Sequence, residues 1–238
     1  MASRRLWLSE WNMKAEGTLN HRSRVAAERR EKTRTRLLQS ALLVFSQKGP
    51  QALIEDVIAQ AGMARGSFYN YFKTNEELLV AVASEINNEL LRAIDPVVQR
   101  CSEPIERVAC GARLLLHAVT RFPQFGSFMS QLPVPTANSS LIGIRFLARD
   151  IALDVAANRL LRVRQRAAID LVAGVVFNAA YSLAREVLEP DYPEAIVKAV
   201  VLGLGVTELE AGRIIAQPLP DLVLPATSIL LYTQNVKT

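Results

Sequence analysis

Between residues 65 and 73 the chain reads R-G-S-F-Y-N-Y-F-K, with cations, a glycine, a serine, an asparagine and two tyrosines interleaved with two phenylalanines. These residue types recognise; they do not make or break bonds. Arg and Asn can pair bidentately with base edges, while Tyr hydroxyls and a Lys ammonium are good phosphate partners. Phe68 and Phe72 are four apart, share one face of a helix, and are expected to pack inward. Ser67, Asn70 and Tyr71 then face outward, with Arg65 and Gly66 at the N-terminal tip. A glycine inside a helix costs about 1 kcal/mol relative to alanine, so Gly66 suggests that something approaches the backbone there.

The elements that must hold this stretch are legible upstream and downstream. A helix from about Arg30 to Lys48 carries Leu37, Leu38, Ala41 and Phe45 at three- and four-residue intervals and is stopped by Gly49-Pro50. A second helix presents Ile54, Val57, Ile58 and Ala61, and Gly62 supplies the positive φ of a tight turn. The third helix spans Arg65 to Phe72. Thr74-x-x-Glu77 is a capping box opening a fourth helix, expected to end before Pro96, with Glu85 and Glu89 facing solvent. Two short helices joined by a glycine turn, the second bearing the polar tip, are what a helix-turn-helix places in a major groove.

The segment A-G-M-A-R-G-S-F-Y-N-Y-F-K-T-N-E-E-L-L resembles the signature of the TetR family of ligand-responsive repressors, densely so over residues 57–79. The resemblance implies an all-α homodimer: an N-terminal three-helix DNA-binding domain and a C-terminal helical ligand-binding and dimerisation domain. By position it implies Arg65, Gly66, Ser67 and Asn70 at the groove floor and Tyr69, Tyr71 and Lys73 at the backbone; Arg34 joins the DNA-binding set. The partners it implies are a near-palindromic double-stranded operator, a second copy of the chain and a small, largely apolar effector. Two departures stand out. Leu53 and Ala64 occupy positions where the family has Ser or Thr caps, each worth about 1 kcal/mol.

Charge follows the same division. Residues 1–74 hold 13 Lys/Arg against 6 Asp/Glu, a net of +7, whereas residues 75–238 hold 15 against 17, a net of −2. A basic module joined to a near-neutral body fits a polyanion-binding protein, and a solvated basic surface would give the same count. The expected division is a flexible basic arm over 1–28, a DNA-binding domain over 29–74, a helical body over 75–217 and a loosely attached tail over 218–238. Cys101 and Cys110 form neither a disulfide framework nor a zinc spacing, which points to a reducing, cytoplasmic setting. The apolar run from Leu171 to Ala184 is broken by Asn178 and Ser182, so no membrane partner is expected.

In the body, Leu116, Phe122, Phe125, Phe128, Met129, Phe146 and Phe177 are the candidate lining of an effector pocket, with a Pro- and Ser-rich loop from Pro133 to Ser140 as its entrance. Ordinary core explains these residues equally well. Arg145 and Arg149, if they faced that cavity, would favour an anionic head group. Ala173, Ala180, Tyr181, Ala184, Ile196 and Val200 are candidate dimer contacts on two helices whose small residues allow close approach. His21 and His117 are isolated, and Gly203 and Gly205 lack the spacing of a phosphate loop. No catalytic set, metal site or cofactor is expected, so an enzyme is the least supported class. The rival is a helical small-molecule-binding or interaction protein whose DNA module is non-functional.

Overall fold

In the computed structural model every described element of secondary structure is an α-helix, giving an all-α protein. The structure describes residues 3–132, 142–156 and 164–235, with backbone alone for residues 3–22, 142, 155 and 235. The loop from Pro133 to Ser140, read as a pocket entrance, lies outside them.

The first four helices are α1 (Ser3–Lys48), α2 (Ile54–Ala61), α3 (Arg65–Tyr69) and α4 (Asn75–Val98). The C-terminal part of α1 buries Leu37, Leu38, Ala41, Leu42 and Phe45, and Gly49 ends it at φ 86°. Residues 3–28 are not an unstructured arm but continue α1. That stretch holds a single glycine, Gly17, and no proline, so nothing in it stops a helix. Pro96 does not end α4; it sits inside the last turn, at the cost of one i→i−4 backbone hydrogen bond.

The body is built around α5 (Pro104–Arg121). It is packed by α4, α6 (Pro123–Met129), α7 (Ile142–Ala156), α8 (Gln165–Arg185), α9 (Tyr192–Gly203) and α10 (Glu208–Ala216). By length and composition α8 could cross a membrane, with a window of mean hydropathy 1.6. Here its apolar residues Ala168, Ile169, Val172 and Val176 are buried core.

Residues 218–235 are not a loose tail. Leu222, Ile229 and Leu230 are buried, and a last helix, α11 (Ile229–Asn235), packs on α1 and α6. Its N-terminus is held by Glu89 of α4, whose carboxylate accepts from the Ser228 hydroxyl at 2.7 Å and the Ile229 N–H at 2.9 Å. Glu89 is therefore buried, not solvent-facing, and burial raises its pKa against those hydrogen bonds. One turn earlier, Glu85 is ion-paired with Arg34 of α1.

Candidate nucleic-acid interface and effector cavity

The turn between α2 and α3 closes on Gly62 at φ 59°, ψ 45°, where a Cβ would meet the Arg36 guanidinium at 3.0 Å. Gly62 N–H donates to the Ala59 carbonyl and Met63 N–H to the Ile58 carbonyl, both at 3.1 Å. This satisfies the carbonyls at the end of α2. Neither Leu53 nor Ala64 supplies a side-chain cap. At α2 the Asp56 carboxylate turns back to accept from the Leu53 N–H, and Lys48 braces it at 2.6 Å, so half of a capping box survives. The start of α3 has no such substitute.

Phe68 and Phe72 are buried, their rings 6.0 Å apart, and they fix α3 to the core. That leaves Arg65, Gly66, Tyr69, Asn70 and Lys73 exposed, with Ser67 and Tyr71 half-buried at the edge. A Cβ at Gly66 would meet no atom within 4 Å, so nothing within the protein requires a glycine there. Arg65 pairs with Glu55 at 3.1 Å and lies 6.0 Å from the Tyr69 ring. Tyr69 first, and then the charge of Glu55, raise its pKa. Regular α3 ends at Tyr69, but the Tyr71 and Phe72 N–H groups both donate to the Phe68 carbonyl, so Asn70 stays on the same turn. Arg34 is the exception among the expected DNA contacts. Glu85, 3.3 Å away, and Glu31 hold it against α4, whereas Arg29, Arg30, Lys32 and Arg36 in the same part of α1 are exposed. The Arg30 guanidinium lies 5.9 Å from the Tyr71 ring, in a groove whose walls also include Arg29, Thr33 and Asn70.

The body encloses a cavity of roughly 210 Å³ among α4, α5, α6, α7 and α8. Phe125, Phe128, Met129, Phe146 and Phe177 line it; Leu116 and Phe122, expected there, do not. On α5 the wall includes Val108, Ala112 and Leu115, and Leu116, about 100° further round the helix from Leu115, is fully buried elsewhere. Phe122 sits at the break between α5 and α6, buried, with the Arg121 guanidinium 5.2 Å from its ring. α4 contributes the longest wall, including Ile86, Leu90 and Ile94. Phe128 also stacks on Phe45 of α1 at 6.4 Å, so one ring touches both the cavity and the DNA-binding module.

One end of the cavity is ionic. Asp95, Arg107, Arg149 and Asp150 are in its wall, whereas Arg145 is exposed. Asp150 accepts from Arg149 at 2.9 and 3.1 Å, and Arg107 stands 3.9 Å away. One turn on, Asp154 is fully buried, and among the described residues neither carboxyl oxygen has a hydrogen-bond partner. Burial, and then the charge of Asp150, push its pKa up to about 6. The cysteines take no part in this chemistry: both are free thiols, and burial pushes that of Cys110 up to about 12.

Of the expected dimer contacts, Ala173, Ala180 and Val200 are buried inside the chain, and Ala173 faces the cavity. These three lie on the inward faces of α8 and α9, where small residues pack against the rest of the chain. Ala184 packs toward α6, where a Cβ on Gly126 would come within 3.3 Å of it. Ile196 is half-buried and Tyr181 exposed, the latter with Arg185 4.6 Å from its ring. Gly174, Ala195, Ala199 and Leu202 join Tyr181 among the partly or fully exposed residues of α8 and α9.

Comparison with known proteins agrees with this geometry. Residues 37–82 match the family model for bacterial regulatory proteins of the tetR family. Two uncharacterised HTH-type transcriptional regulators of Bacillus subtilis (strain 168) align with part of the chain. YvdT is 38% identical over 60 residues, 25% of this chain and 31% of that protein. YfiR is 32% identical over 73 residues, 30% and 36%. The chain thus spans about a third of the length of these curated relatives. Over the whole fold it is similar to the crystal structure of RolR in complex with the ligand resorcinol. There the TM-score is 0.63 and the identity 27%, covering 83% of this chain and 100% of that one. The FadR regulator of Bacillus subtilis, in complex with stearoyl-CoA, shares the fold at TM-score 0.59 and 16% identity, over 71% and 96%.

Proposed function

The chain belongs to the TetR family of helix-turn-helix transcriptional regulators, and from that premise we propose that it is a cytoplasmic repressor released from a near-palindromic operator by a small, largely apolar ligand. The observation that carries this is the double role of α4. It opens directly after α3 at the Thr74 cap, whose hydroxyl accepts from Glu77 N–H at 3.1 Å, and it forms the longest wall of the cavity. A ligand that displaced Ile86 or Leu90 would move the helix that carries the recognition module. The Phe128–Phe45 stack offers a second route to α1. That RolR binds a small ring compound supports a ligand at this place. Two copies would pair through the exposed sides of α8 and α9, presenting two α3 helices to successive half-sites. Release requires that the ligand bind the DNA-incompetent conformer better; tight binding to both states would shift nothing.

Gel retardation with DNA from just upstream of the chain's own coding region tests the DNA-binding half. Retardation that weakens with salt and is relieved by lysate metabolites is expected. No retardation at low salt would favour the small-molecule binder with an idle DNA module. Sedimentation at micromolar concentration should give a dimer, and a monomer would remove the α8–α9 interface.

A further inference from the structure

The four charges that line the ionic end of the cavity, two arginines and two aspartates, balance one another, and that limits what can enter. Arg149 gives two hydrogen bonds to Asp150 and stands 3.6 Å from Asp95, with its guanidinium 4.9 Å from the Phe146 ring. Arg107 donates its Nε–H to the Cys101 carbonyl at 3.1 Å and faces Asp150. Two cations thus meet two carboxylates, and Asp154 behind them adds negative charge when ionised. An anionic ligand would have to displace one of these aspartates, exchanging one carboxylate for another while giving up its own hydration. It would also add a net negative charge to a site bounded by apolar walls. A cationic ligand meets the same desolvation cost with its sign reversed.

What the network does leave open is acceptor capacity. An ionised carboxylate has about four lone-pair positions, and Asp150 spends two on Arg149. An O–H donated to such an oxygen makes a short, charge-assisted bond, roughly twice as strong as a neutral one. The remaining walls include Phe125, Phe128, Phe146 and Phe177. Its volume of roughly 210 Å³ is somewhat above the roughly 150 Å³ of an apolar cavity that takes up benzene, the scale of a single ring.

Resting on the reading that this cavity takes the effector, we propose that it selects an uncharged, single-ring aromatic molecule bearing a hydroxyl, which donates to Asp150 or Asp95 while the paired arginines exclude anions. The expectation from the residues alone, that arginine at the cavity would draw an anionic head group, is reversed because the arginines come with their counter-ions.

Calorimetry on the full-length chain with phenol, anisole and benzoate tests this. These are single-ring probes that differ in having a donor, no donor, or a charge. Phenol should bind at least tenfold more tightly than anisole, since a site built around a ligand hydroxyl leaves its own polar groups unpaired without one. Benzoate should show no measurable heat. Asp150→Asn, which uncovers the two arginines, should lose the preference for phenol and gain benzoate binding. Asp95→Asn, at a side chain one-third exposed and so tolerant of change, should shift the ranking the same way to a smaller degree. Wild-type binding of benzoate as tight as phenol, equal binding of anisole and phenol, or no binding by any of the three would overturn the proposal. Retardation of upstream DNA by the same preparation separates the two levels. If DNA binds and the ranking fails, only the ligand class falls; if DNA does not bind, the regulator reading falls and the ranking still tests the cavity.

Discussion

On the face of α3, Lys73 stands in solvent and Arg65 is held by an exposed pair with Glu55 and by the Tyr69 ring; in the cavity, Arg149 is hydrogen-bonded to Asp150 and Arg107 faces the same carboxylate at 3.9 Å before any ligand arrives. The same ion types are thus set up for opposite partners. Cations in water cost nothing to keep and release counter-ions when they meet phosphate, which is how a surface binds a polyanion. Cations in an apolar enclosure must be paired to be kept at all, and once paired they no longer attract an anion. An arginine count alone would have assigned both sites to negative partners; the partners of each arginine separate them.

The contrast depends on α3 being seated, and the largest effect should come from unseating it. Phe68 is completely buried, with its ring 5.4 Å from Tyr69 and 6.0 Å from Phe72. Phe68→Ala should cost about 3–5 kcal/mol of stability. A urea titration should show a lowered midpoint, and operator binding should fail together with it. Normal stability with lost DNA binding would instead make Phe68 a contact residue and blur the division between holding and reading.

The seating of α3 was legible because it is local. The four-residue spacing of Phe68 and Phe72, the Gly62 turn and the Thr74 cap each act within a few residues, where sequence and geometry are tightly linked. Glu89 was misread for the opposite reason. A charged residue on a long helix is normally solvated, and only Ser228 and Ile229, far along the chain, make its burial possible. The prolines at 218, 220 and 225 suggested a loose tail, but Leu222, Ile229 and Leu230 in the same stretch had an apolar surface to cover. Leu116 for Leu115 is a subtler miss. Helix α5 is surrounded, so apolar residues occupy several of its faces and periodicity cannot say which one meets the cavity.

Asp154 tests the buried side of the comparison. With its folded pKa raised from 3.8 to about 6, the native state binds the proton more tightly than the unfolded chain. The ionised carboxylate is therefore a penalty, present above pH 6 and relieved as pH falls toward 4. Asp154→Asn should stabilise the protein at pH 7 by up to about 3 kcal/mol, and the gain should shrink toward zero near pH 4. Urea midpoints of both proteins at pH 7, 5 and 4 would show it. An equal difference at all three values would mean that the effect is packing, not charge.

On the exposed side the effects are smaller and differ in kind. Asn70→Ala and Arg65→Ala should reduce the preference for operator over scrambled DNA by about ten- to a hundredfold, the worth of a bidentate base contact. Competition binding at fixed salt reads this directly. If either variant weakens all sequences alike, that residue belongs to the phosphate set.

The mildest change is the sharpest probe of exposed charge. Lys73 is solvent-exposed, and its backbone N–H donates to the Glu77 carboxylate at 2.7 Å, a bond that Lys73→Ala leaves intact. Stability should therefore be unchanged. Binding should weaken uniformly across sequences, and the slope of log affinity against log salt should fall by about one. Arg107→Ala, in the cavity, should leave that slope untouched although it removes the same charge. Only the position of a cation relative to its counter-ions would account for that difference, since total charge, and with it any long-range field, changes equally in the two variants.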